Sequence, residues 1–332
     1  MKEFDVVTLG ELLIDMFPGE IGYKIGEVES FKPKPGGAPA NAAVALSRLG
    51  LNCAFIGKLG EDHFGTYLQK VLEDEGVETR GIRFDPDART TMAIIAMPDK
   101  HSAEFVFYRN PGADQLLSIE DLDRKLLEST KALHFGSVSL TDEPVRSATF
   151  KAAQIAKKAG ALVSFDVNYR PSLWKESAEA LDQSRLMLRE VDLVKVNEEE
   201  AALLTGIEHI DGTNPVQVEN AALALMKTGP EIVVITLGSE GSYFQSEHGG
   251  AYIPPYQVDT VDAVGCGDAF IAGMLSKLVV GDDWRENISV EYLTEALNYG
   301  NAVGALTSLK RGAIPALPTK EEVEDFIKNH SR

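Results

Sequence analysis

Short apolar runs alternate with helical patterns along most of the chain, and this alternation limits the possible folds more than any other feature. Runs typical of buried strands occupy residues 4–10, 53–58, 132–136, 161–167, 191–196 and 232–237. Patterns typical of helices lie between most of them, at residues 39–49, 143–160, 177–189 and 215–228. Strands that alternate with helices of this length form a parallel sheet whose two faces are both covered. The sequence therefore predicts an α/β fold built on a parallel sheet.

Two regions lack this alternation. Residues 12–35 carry several prolines and glycines between short apolar pieces, and residues 88–109 read as two strands joined by the turn sequence PDKHS. Strands without crossover helices cannot easily join a parallel sheet. We therefore predict that these regions form a small antiparallel flap over one edge of the main sheet. No repeat or linker divides the chain, which favours a single domain.

Composition argues against several classes of protein. A chain of 332 residues with 44% hydrophobic content is long enough to bury a large α/β core. Its formal net charge of -19 argues against general nucleic-acid binding, which depends on an excess of lysine and arginine. The two cysteines, Cys53 and Cys266, do not make a disulfide framework, and the six histidines are scattered, so a zinc site is not predicted.

No segment reads as a membrane span or an export signal. The apolar start of the chain is interrupted by Asp5, Glu11 and Asp15. No run approaches the roughly 18 apolar residues that cross a bilayer. The sequence therefore predicts a cytoplasmic protein without a membrane partner.

The stretch VDAVGCGDAF, at residues 261–270, places small residues directly before an apolar helix that we expect to begin near Asp268. Residues this small let backbone N–H groups approach a ligand, and a helix N-terminus carries about half a positive charge. The stretch therefore predicts a site for an anion. Two interpretations of Asp268 remain open on these residues alone: its carboxylate caps the helix, or it accepts a proton from an attacking hydroxyl.

Two further segments place polar residues where a predicted helix begins. Gly36 and Gly37 precede a helix with Asn41 on its first turn, which is either an ordinary strand-to-helix turn or part of a ligand site. Asn197 and Glu200 follow another strand. They either form a capping box or hold magnesium through water molecules.

Polar segments also follow the remaining predicted strands. DVNYRP, at residues 166–171, combines an acid, an amide and a guanidinium, which suit hydroxyl and phosphate recognition. TLGSEG, at residues 236–241, ends a strand in a glycine turn. Ligands bind at the carboxyl ends of parallel strands, so we expect these segments to share one site.

Taken together, these segments resemble the ribokinase-type (PfkB) family of carbohydrate kinases, and most closely its fructokinase branch. The strongest similarity lies in GGAPANAAVALSRLG (residues 36–50) and DAVGCGDAF (residues 262–270), which resemble the two signature regions of the family. Four other segments are similar to fructokinases in particular: FYRNPGADQLL, DVNYRPSLW, KVNEEEAALLTG and RGAIPALPT. The resemblance covers essentially the whole chain.

The resemblance implies a Rossmann-like, three-layer α/β/α sandwich with a small β-sheet lid, formed by about residues 12–35 and 88–112, that often joins two subunits. It implies transfer of the ATP γ-phosphoryl group to the primary 6-hydroxyl of D-fructose, with magnesium and, in many members, potassium as cofactors. 2-Keto-3-deoxygluconate and ribose are alternative substrates, because kinases for them share every catalytic residue. We therefore expect a homodimer that binds a sugar and ATP, and that binds neither nucleic acid nor a membrane.

The resemblance also assigns roles to single residues. Asp268 is the implied catalytic base, the amides of Gly265, Cys266 and Gly267 the anion hole, and Arg170 a residue near the phosphates. The implied sugar contacts are Asp15, Gly36, Gly37, Asn41, Arg109, Asp114 and Asp268, with Glu11 nearby. The implied nucleotide contacts are Lys195, Asn197, Thr236, Gly238, Gly241, Gly267 and Asn301. Asn197 and Glu200 match the magnesium-associated motif, and Asp262, Val264 and Gly312 resemble the monovalent-cation site.

The chain departs from the usual family form in one stretch. Ala263 and Val264 stand where two threonines are usual, and Cys266 replaces the commoner alanine. Backbone amides survive these changes, whereas hydroxyl contacts to phosphate or to a cation do not. We therefore expect activity with altered nucleotide contacts.

Two other classes of protein remain as alternatives. An NAD-dependent dehydrogenase would fit a parallel sheet, but the first strand ends in GELLID rather than GxGxxG. A non-catalytic sugar or nucleotide sensor predicts loss of the base, whereas Asp268 is present. The chain also lacks the P-loop sequence GxxxxGKS/T, so a kinase of this sequence must hold the phosphates in a different cradle.

Overall fold

The computed structural model describes residues 2–98, 104–281 and 283–330. Within these residues the strands are β1 (Phe4–Leu9), β2 (Leu13–Pro18), β3 (Phe31–Gly36), β4 (Cys53–Gly60), β5 (Glu78–Asp85), β6 (Met92–Ala96), β7 (Glu104–Tyr108), β8 (Thr130–Gly136), β9 (Leu162–Asp166), β10 (Leu193–Asn197), β11 (Ile232–Thr236), β12 (Ser242–Ser246) and β13 (Gly249–Ile253). The α-helices are α1 (Ala38–Arg48), α2 (His63–Asp74), α3 (Arg124–Glu128), α4 (Val145–Lys158), α5 (Ser177–Leu188), α6 (Glu198–Thr205), α7 (Pro215–Met226), α8 (Cys266–Leu278), α9 (Val290–Ser308) and α10 (Lys320–Asn329).

The main sheet has nine strands, in the order β13-β12-β11-β10-β9-β8-β1-β4-β5. The strands from β11 to β5 in this order are all parallel, as the alternation of strands and helices predicts. β12 and β13 instead form an antiparallel hairpin at one edge. The sequence analysis did not predict this hairpin, because SYFQS and GGAYI carry no continuous apolar run. The connection between them is too short for a crossover helix, so the chain reverses direction there.

Helices cover both faces of the main sheet and complete a three-layer α/β/α sandwich. Successive residues of a strand point to opposite faces. Val6 therefore packs in the core beneath α1, α8 and α9, whereas Val7 packs with α3 and α4 on the other side. Ala43 of α1 and Ala152 of α4 are both completely buried, and side chains this small let the helices approach the sheet closely.

A second sheet has four strands, in the order β3-β2-β6-β7, and contains residues from both regions that lack the alternation. β2 pairs with β3 and β6 pairs with β7 in the antiparallel sense, but β2 and β6 are parallel. The prediction of an antiparallel flap was wrong for this central pair. The two strands belong to different hairpins, so no turn fixes their relative direction. The PDKHS turn falls mostly on residues 99–103, which lie outside the described residues.

The helix that carries Asp268 begins two residues earlier than the sequence suggested, at Cys266. Its N-cap is Gly265, which adopts the left-handed conformation with φ 80°. Residues with a β-carbon rarely adopt this conformation, so the glycine allows the helix to begin at this point. Asp268 is therefore the third residue of α8 rather than the residue that caps it.

α9 is the longest helix of the described residues, with 19 residues. Its sequence, VEYLTEALNYGNAVGALTS, mixes charged and polar residues with apolar ones. Among residues 2–98, 104–281 and 283–330, no helix combines the length and the apolar character needed to cross a membrane.

Candidate active site

Asp268 lies on the first turn of α8, where backbone N–H groups have no partners within the helix. Oδ2 of Asp268 accepts a hydrogen bond of 2.8 Å from Nδ2 of Asn41, near the start of α1. The interpretation of Asp268 as a helix cap was therefore wrong, because Gly265 is the N-cap and no side chain caps this helix. The contact instead joins the N-termini of two helices whose residues are 227 positions apart in the sequence.

Burial raises the pKa of Asp268 to about 6. The hydrogen bond from Asn41 lowers this pKa, whereas the negative charge of Asp166 raises it. The positive charges of Lys195 and Arg170 also lower it. An acid with a pKa near 6 is ionised at neutral pH and can still take up a proton, which suits it to proton transfer.

Asp15, on β2 of the second sheet, lies close enough to Asp268 and Arg170 for their charges to change its pKa. The pKa of Asp15 is raised to about 7, mainly by burial and also by the charge of Asp268, while the charge of Arg170 lowers it. The carboxylate lies against Gly36, where a β-carbon would overlap its Oδ2. The structure therefore brings Asp15, Gly36, Asp268 and Arg170 to one place, as the sequence analysis expected.

Glu11 is buried between the end of β1 and the start of α1. Its Oε1 accepts a hydrogen bond of 3.0 Å from the backbone N–H of Ala38, and its backbone oxygen leaves no room for a β-carbon on Gly37, whose φ is 107°. Burial raises the pKa of Glu11 to about 7. In the part of the chain that the structure describes, Oε2 of Glu11 and Oδ1 of Asn41 are buried without a hydrogen-bond partner. Buried acceptors without donors are costly, so this pair fits a ligand that carries hydroxyl groups.

Arg109 and Asp114, both expected to contact the sugar, form a buried ion pair of 2.7 Å. Thr91 donates a hydrogen bond of 2.5 Å to the other carboxylate oxygen of Asp114. Arg109 also donates to the hydroxyl of Thr141 at 2.8 Å and to the backbone oxygen of Val138 at 3.2 Å. These two side chains therefore bind each other and fasten three segments together. The sequence analysis missed Thr91 and Thr141, because each is an isolated residue in a different segment.

Lys195 of β10 lies directly opposite Asp166 of β9, and its Nζ contacts the two carboxylate oxygens at 3.0 and 2.9 Å. Burial disfavours the charged ammonium, but the charges of Asp166 and Glu200 hold the pKa of Lys195 above its ordinary value. A β-carbon on Gly267 would lie 3.2 Å from this Nζ, so the ammonium lies beside the first turn of α8. The sequence analysis gave Asp166 no role of its own, although the polar DVNYRP segment marked its position.

Asn197 and Glu200 form a capping box at the start of α6, which confirms that interpretation of the sequence. Oδ1 of Asn197 accepts a hydrogen bond of 2.8 Å from the N–H of Glu200, and Oε2 of Glu200 accepts one of 2.9 Å from the N–H of Asn197. Oε1 of Glu200 accepts a third, of 2.7 Å, from the N–H of Tyr169. Among the described residues, no group of three or more His, Cys, Asp or Glu is placed to hold a metal ion. Magnesium binding through water stays a prediction.

Three of the expected nucleotide contacts lie together at the carboxyl end of β11. Thr236 ends the strand and lies opposite Asn197 of β10. Gly238 (φ 54°) and Gly241 (φ 103°) form the turn that follows. A nucleotide contact at these positions stays a prediction.

Asn301, another expected nucleotide contact, lies on α9 and faces the β12–β13 edge of the sheet. Its Oδ1 accepts a hydrogen bond of 3.1 Å from the hydroxyl of Ser242. Its Nδ2 donates to the backbone oxygens of Ile253 and Pro254 at 3.3 and 3.2 Å. The amide therefore ties α9 to this edge of the sheet.

The residues expected to bind a monovalent cation meet through Asp262. Its Oδ1 accepts a hydrogen bond of 3.1 Å from the N–H of Val264, and its Oδ2 accepts one of 2.9 Å from the N–H of Gly312. Sγ of Cys266 lies 3.7 Å from the backbone oxygen of Asp262. Burial raises the pKa of Cys266 to about 12, so its thiol is neutral at physiological pH.

Asp268, Asn41 and Lys195 converge where the strands of a parallel sheet have their carboxyl ends, beside the N-terminus of α8. Ligands bind at this edge in open α/β folds. A carboxylate of raised pKa can take a proton from a hydroxyl there, while the helix N-terminus and the ammonium hold an anion. The fold and the site together define a phosphotransferase that acts on an alcohol group.

The chain belongs to the pfkB family of carbohydrate kinases: the sequence model of that family matches residues 3–320. It is 41% identical over 325 residues to the probable fructokinase-4 of Arabidopsis thaliana, covering 98% of this chain and 97% of the plant protein. A fructokinase from Xylella fastidiosa, with bound ATP, has a similar structure: the TM-score is 0.88 at 32% identity, covering 98% of this chain and 99% of that one. A fructokinase from Vibrio cholerae, with bound fructose, ADP and calcium, gives a TM-score of 0.84 at 32% identity, covering 97% and 99% of the two chains. The family resemblance is confirmed.

Proposed function

We propose that this protein is an ATP-dependent fructokinase that transfers the γ-phosphoryl group of ATP to the primary 6-hydroxyl of D-fructose. The observation that carries the proposal is the position of Asp268, on the first turn of α8, hydrogen-bonded to Asn41 and within the field of Lys195. The fructose and ADP bound by the Vibrio cholerae enzyme, and the ATP bound by the Xylella fastidiosa enzyme, support the two substrates.

Asp268 acts as the general base in this proposal. The O–H bond of the 6-hydroxyl breaks as its proton passes to the Asp268 carboxylate, and the oxygen attacks the γ-phosphorus in line. The bond between that phosphorus and the bridging oxygen breaks, and ADP leaves with the electron pair. The backbone N–H groups of Gly265, Cys266 and Gly267 offset the charge on the transferred group, and Lys195 and Arg170 add positive charge.

The sugar lies, in the same proposal, between the second sheet and the start of α1. The carboxylate of Asp15 and the unpartnered oxygen of Asn41 accept hydrogen bonds from its hydroxyl groups. Gly36 and Gly37 carry no side chain, which lets Asp15 and the backbone of Glu11 lie directly against them at this site. The buried side chains of Arg109 and Asp114 mainly stabilise the structure around the sugar site. They already form hydrogen bonds with each other and with Thr91 and Thr141.

Magnesium, and in addition potassium, are the cofactors that we propose. Asn197 and Glu200 would hold magnesium through water; each oxygen of Glu200 accepts one backbone N–H, and a carboxylate oxygen has a further lone pair for water. Bound magnesium supplies positive charge that offsets the charge of the phosphates. Backbone oxygens near Asp262, Val264 and Gly312 would hold the monovalent cation, because the Asp262 carboxylate brings these segments together.

A coupled ADP-release assay with ATP and magnesium tests the proposed substrate. It compares fructose, ribose, glucose, 2-keto-3-deoxygluconate and adenosine, with and without potassium. Preferential turnover of fructose is the expected result. Preferential turnover of 2-keto-3-deoxygluconate or ribose would reject fructose and retain the sugar kinase, whereas sugar binding without turnover would indicate a sensor.

We expect kcat/KM for fructose to fall as the pH is lowered through about 6. Burial raises the pKa of Asp268 to about 6, and only the ionised carboxylate accepts a proton, so each further pH unit should remove about tenfold. Asp15, with its pKa raised to about 7, is protonated first and adds to the loss through weaker sugar binding. Initial rates between about pH 5 and pH 8 measure the profile, and a rate that stays constant down to about pH 5 would contradict it.

We propose that the second sheet, with its residues in the 12–35 and 88–112 regions, is a lid that also joins two subunits into a homodimer. β7 is one of the two edge strands of this sheet, and Phe105, Val106 and Tyr108 on it are 40%, 45% and 62% exposed. Apolar side chains on an unpaired edge strand fit a second copy of the chain.

The cytoplasm is the compartment that we propose.

Sedimentation of the wild type should give about twice the chain mass of 36.0 kDa. Tyr108→Glu should shift the species to a monomer, because it places a charge on the paired surface. The control is Tyr67→Glu, at a tyrosine of α2 that is 45% exposed, which should leave the dimer intact. A wild type that is monomeric at every concentration would contradict the dimer.

A further inference from the structure

The ion pair of Asp166 and Lys195 is buried at the carboxyl edge of the main sheet, beside the first turn of α8. The two side chains are 4% and 8% exposed, and Nζ of Lys195 contacts both carboxylate oxygens of Asp166. A buried ion pair gives little net stability, because two charges lose their hydration when it forms. A role in the site accounts for this pair better than stability does.

The ammonium of Lys195 faces the start of α8. Within the described residues, and leaving out Cys266, Asp268 and the nearby backbone of the helix, the atoms within 4 Å of a β-carbon added to Gly267 are Nζ and Cε of Lys195, at 3.2 and 3.9 Å. Gly267 has no side chain, so the ammonium lies close to the first turn of the helix. An anion bound there meets the helix N-terminus and a full positive charge together.

Lysine has a long, flexible side chain, so its ammonium holds one position only when its neighbours fix it. Asp166 supplies such a neighbour, because the register of β9 and β10 places it directly opposite Lys195. Contacts to both carboxylate oxygens restrict the ammonium in two directions. The direction of the Lys195 side chain is therefore set by Asp166.

We propose that Asp166 is a positioning residue for phosphoryl transfer, which fixes the ammonium of Lys195 beside the first turn of α8 so that it contacts the phosphates of ATP. This inference rests on the proposed function, because it places those phosphates at the start of α8. In this proposal Asp166 contacts Lys195, and it does not contact the reacting atoms.

Asp192 provides a matched control. It is 1% exposed, its Oδ1 contacts Nζ of Lys157 at 3.0 Å, and its Oδ2 accepts a hydrogen bond of 2.9 Å from the N–H of Val163. It directly precedes β10, whereas Asp166 is the last residue of β9. Because β9 and β10 are parallel, Asp192 lies at the amino ends of these strands and Asp166 at their carboxyl ends. Replacing Asp192 removes a similar buried carboxylate without touching the site.

The test uses the full-length protein with Asp166→Asn, Lys195→Met, the double variant and Asp192→Asn. Calorimetry measures the affinity for ATP with magnesium and for fructose, and steady-state kinetics measures KM and kcat for each. We expect Asp166→Asn and Lys195→Met each to weaken ATP binding by about tenfold or more and to change fructose affinity by less than about twofold. The double variant should lose no more ATP affinity than Lys195→Met alone, because Asp166 acts through Lys195. Asp192→Asn should keep both affinities.

Each single variant at the pair leaves one buried charge without a partner, whereas the double variant leaves none. If Asp166→Asn fails to fold, equal ATP affinity of the double variant and Lys195→Met carries the test. If Lys195→Met fails to fold, Asp166→Asn carries it against the wild type, by losing ATP affinity while keeping fructose affinity.

An additional loss of ATP affinity on adding Asp166→Asn to Lys195→Met would overturn the inference, because Asp166 would then act directly. Equal losses of ATP and fructose affinity in Asp166→Asn would also overturn it and leave Asp166 a structural residue. A wild type that binds ATP without phosphorylating any sugar would reject the proposed function alone, since the ATP affinities of the variants still decide the role of Asp166.

Discussion

Asp268→Asn should lower kcat by about 10²–10⁴-fold and leave the affinity for fructose nearly unchanged. Asparagine has the same shape, and its side-chain oxygen still accepts the hydrogen bond from Asn41, but it does not take up the proton of the sugar hydroxyl. ADP release measures turnover, and calorimetry with fructose measures binding independently of turnover.

The control for this variant is Asp325→Asn, at an exposed aspartate of α10. It should leave both kcat and fructose affinity unchanged. Normal turnover by Asp268→Asn would show that another group accepts the proton. A loss of fructose affinity as large as the loss of turnover would show instead that Asp268 binds the sugar and is not the base.

Arg109→Met should lower the free energy of unfolding by about 3–5 kcal/mol, because it leaves the carboxylate of Asp114 buried without its partner. The change also removes the donors to Thr141 and to the backbone oxygen of Val138. Urea unfolding followed by tryptophan fluorescence measures the loss. Replacing Asp114 by leucine in the same chain should recover part of it, since two apolar side chains leave no buried charge.

Arg80→Met is the control for this second change. Arg80 also pairs with a carboxylate, Glu3, at 2.9 Å, but the two side chains are 38% and 52% exposed. Water solvates the remaining charge when this pair is lost, so we expect no measurable change in the free energy of unfolding. Equal losses for Arg80→Met and Arg109→Met would show that burial of the Arg109–Asp114 pair does not determine its contribution.

Much of the fold could be predicted from the sequence, because the periodicity of apolar residues is a local property. The run predicted as a strand at residues 53–58 is β4 (Cys53–Gly60), and the pattern predicted as a helix at 143–160 is α4 (Val145–Lys158). The parallel pairing of β2 with β6 could not be predicted, because no turn connects the two strands. The start of α8 was missed because it depends on the left-handed φ of Gly265.

The candidate site was predicted less completely than the fold. The sequence motifs named Asp268 and Asn41, and the structure places them 2.8 Å apart. The motifs also named Arg109, but they gave no indication that it donates to Asp114, Thr141 and the backbone oxygen of Val138.

The sequence by itself determined the class of fold, the family and the segments that carry the site, because periodicity and motifs are local properties of short segments of the chain. The tertiary structure alone decided which side chains meet. It showed that Asp268 is bound by Asn41 rather than capping its helix, and that Asp166 fixes the ammonium of Lys195. These contacts join residues that are 227 and 29 positions apart, and no local pattern records a distance between such residues.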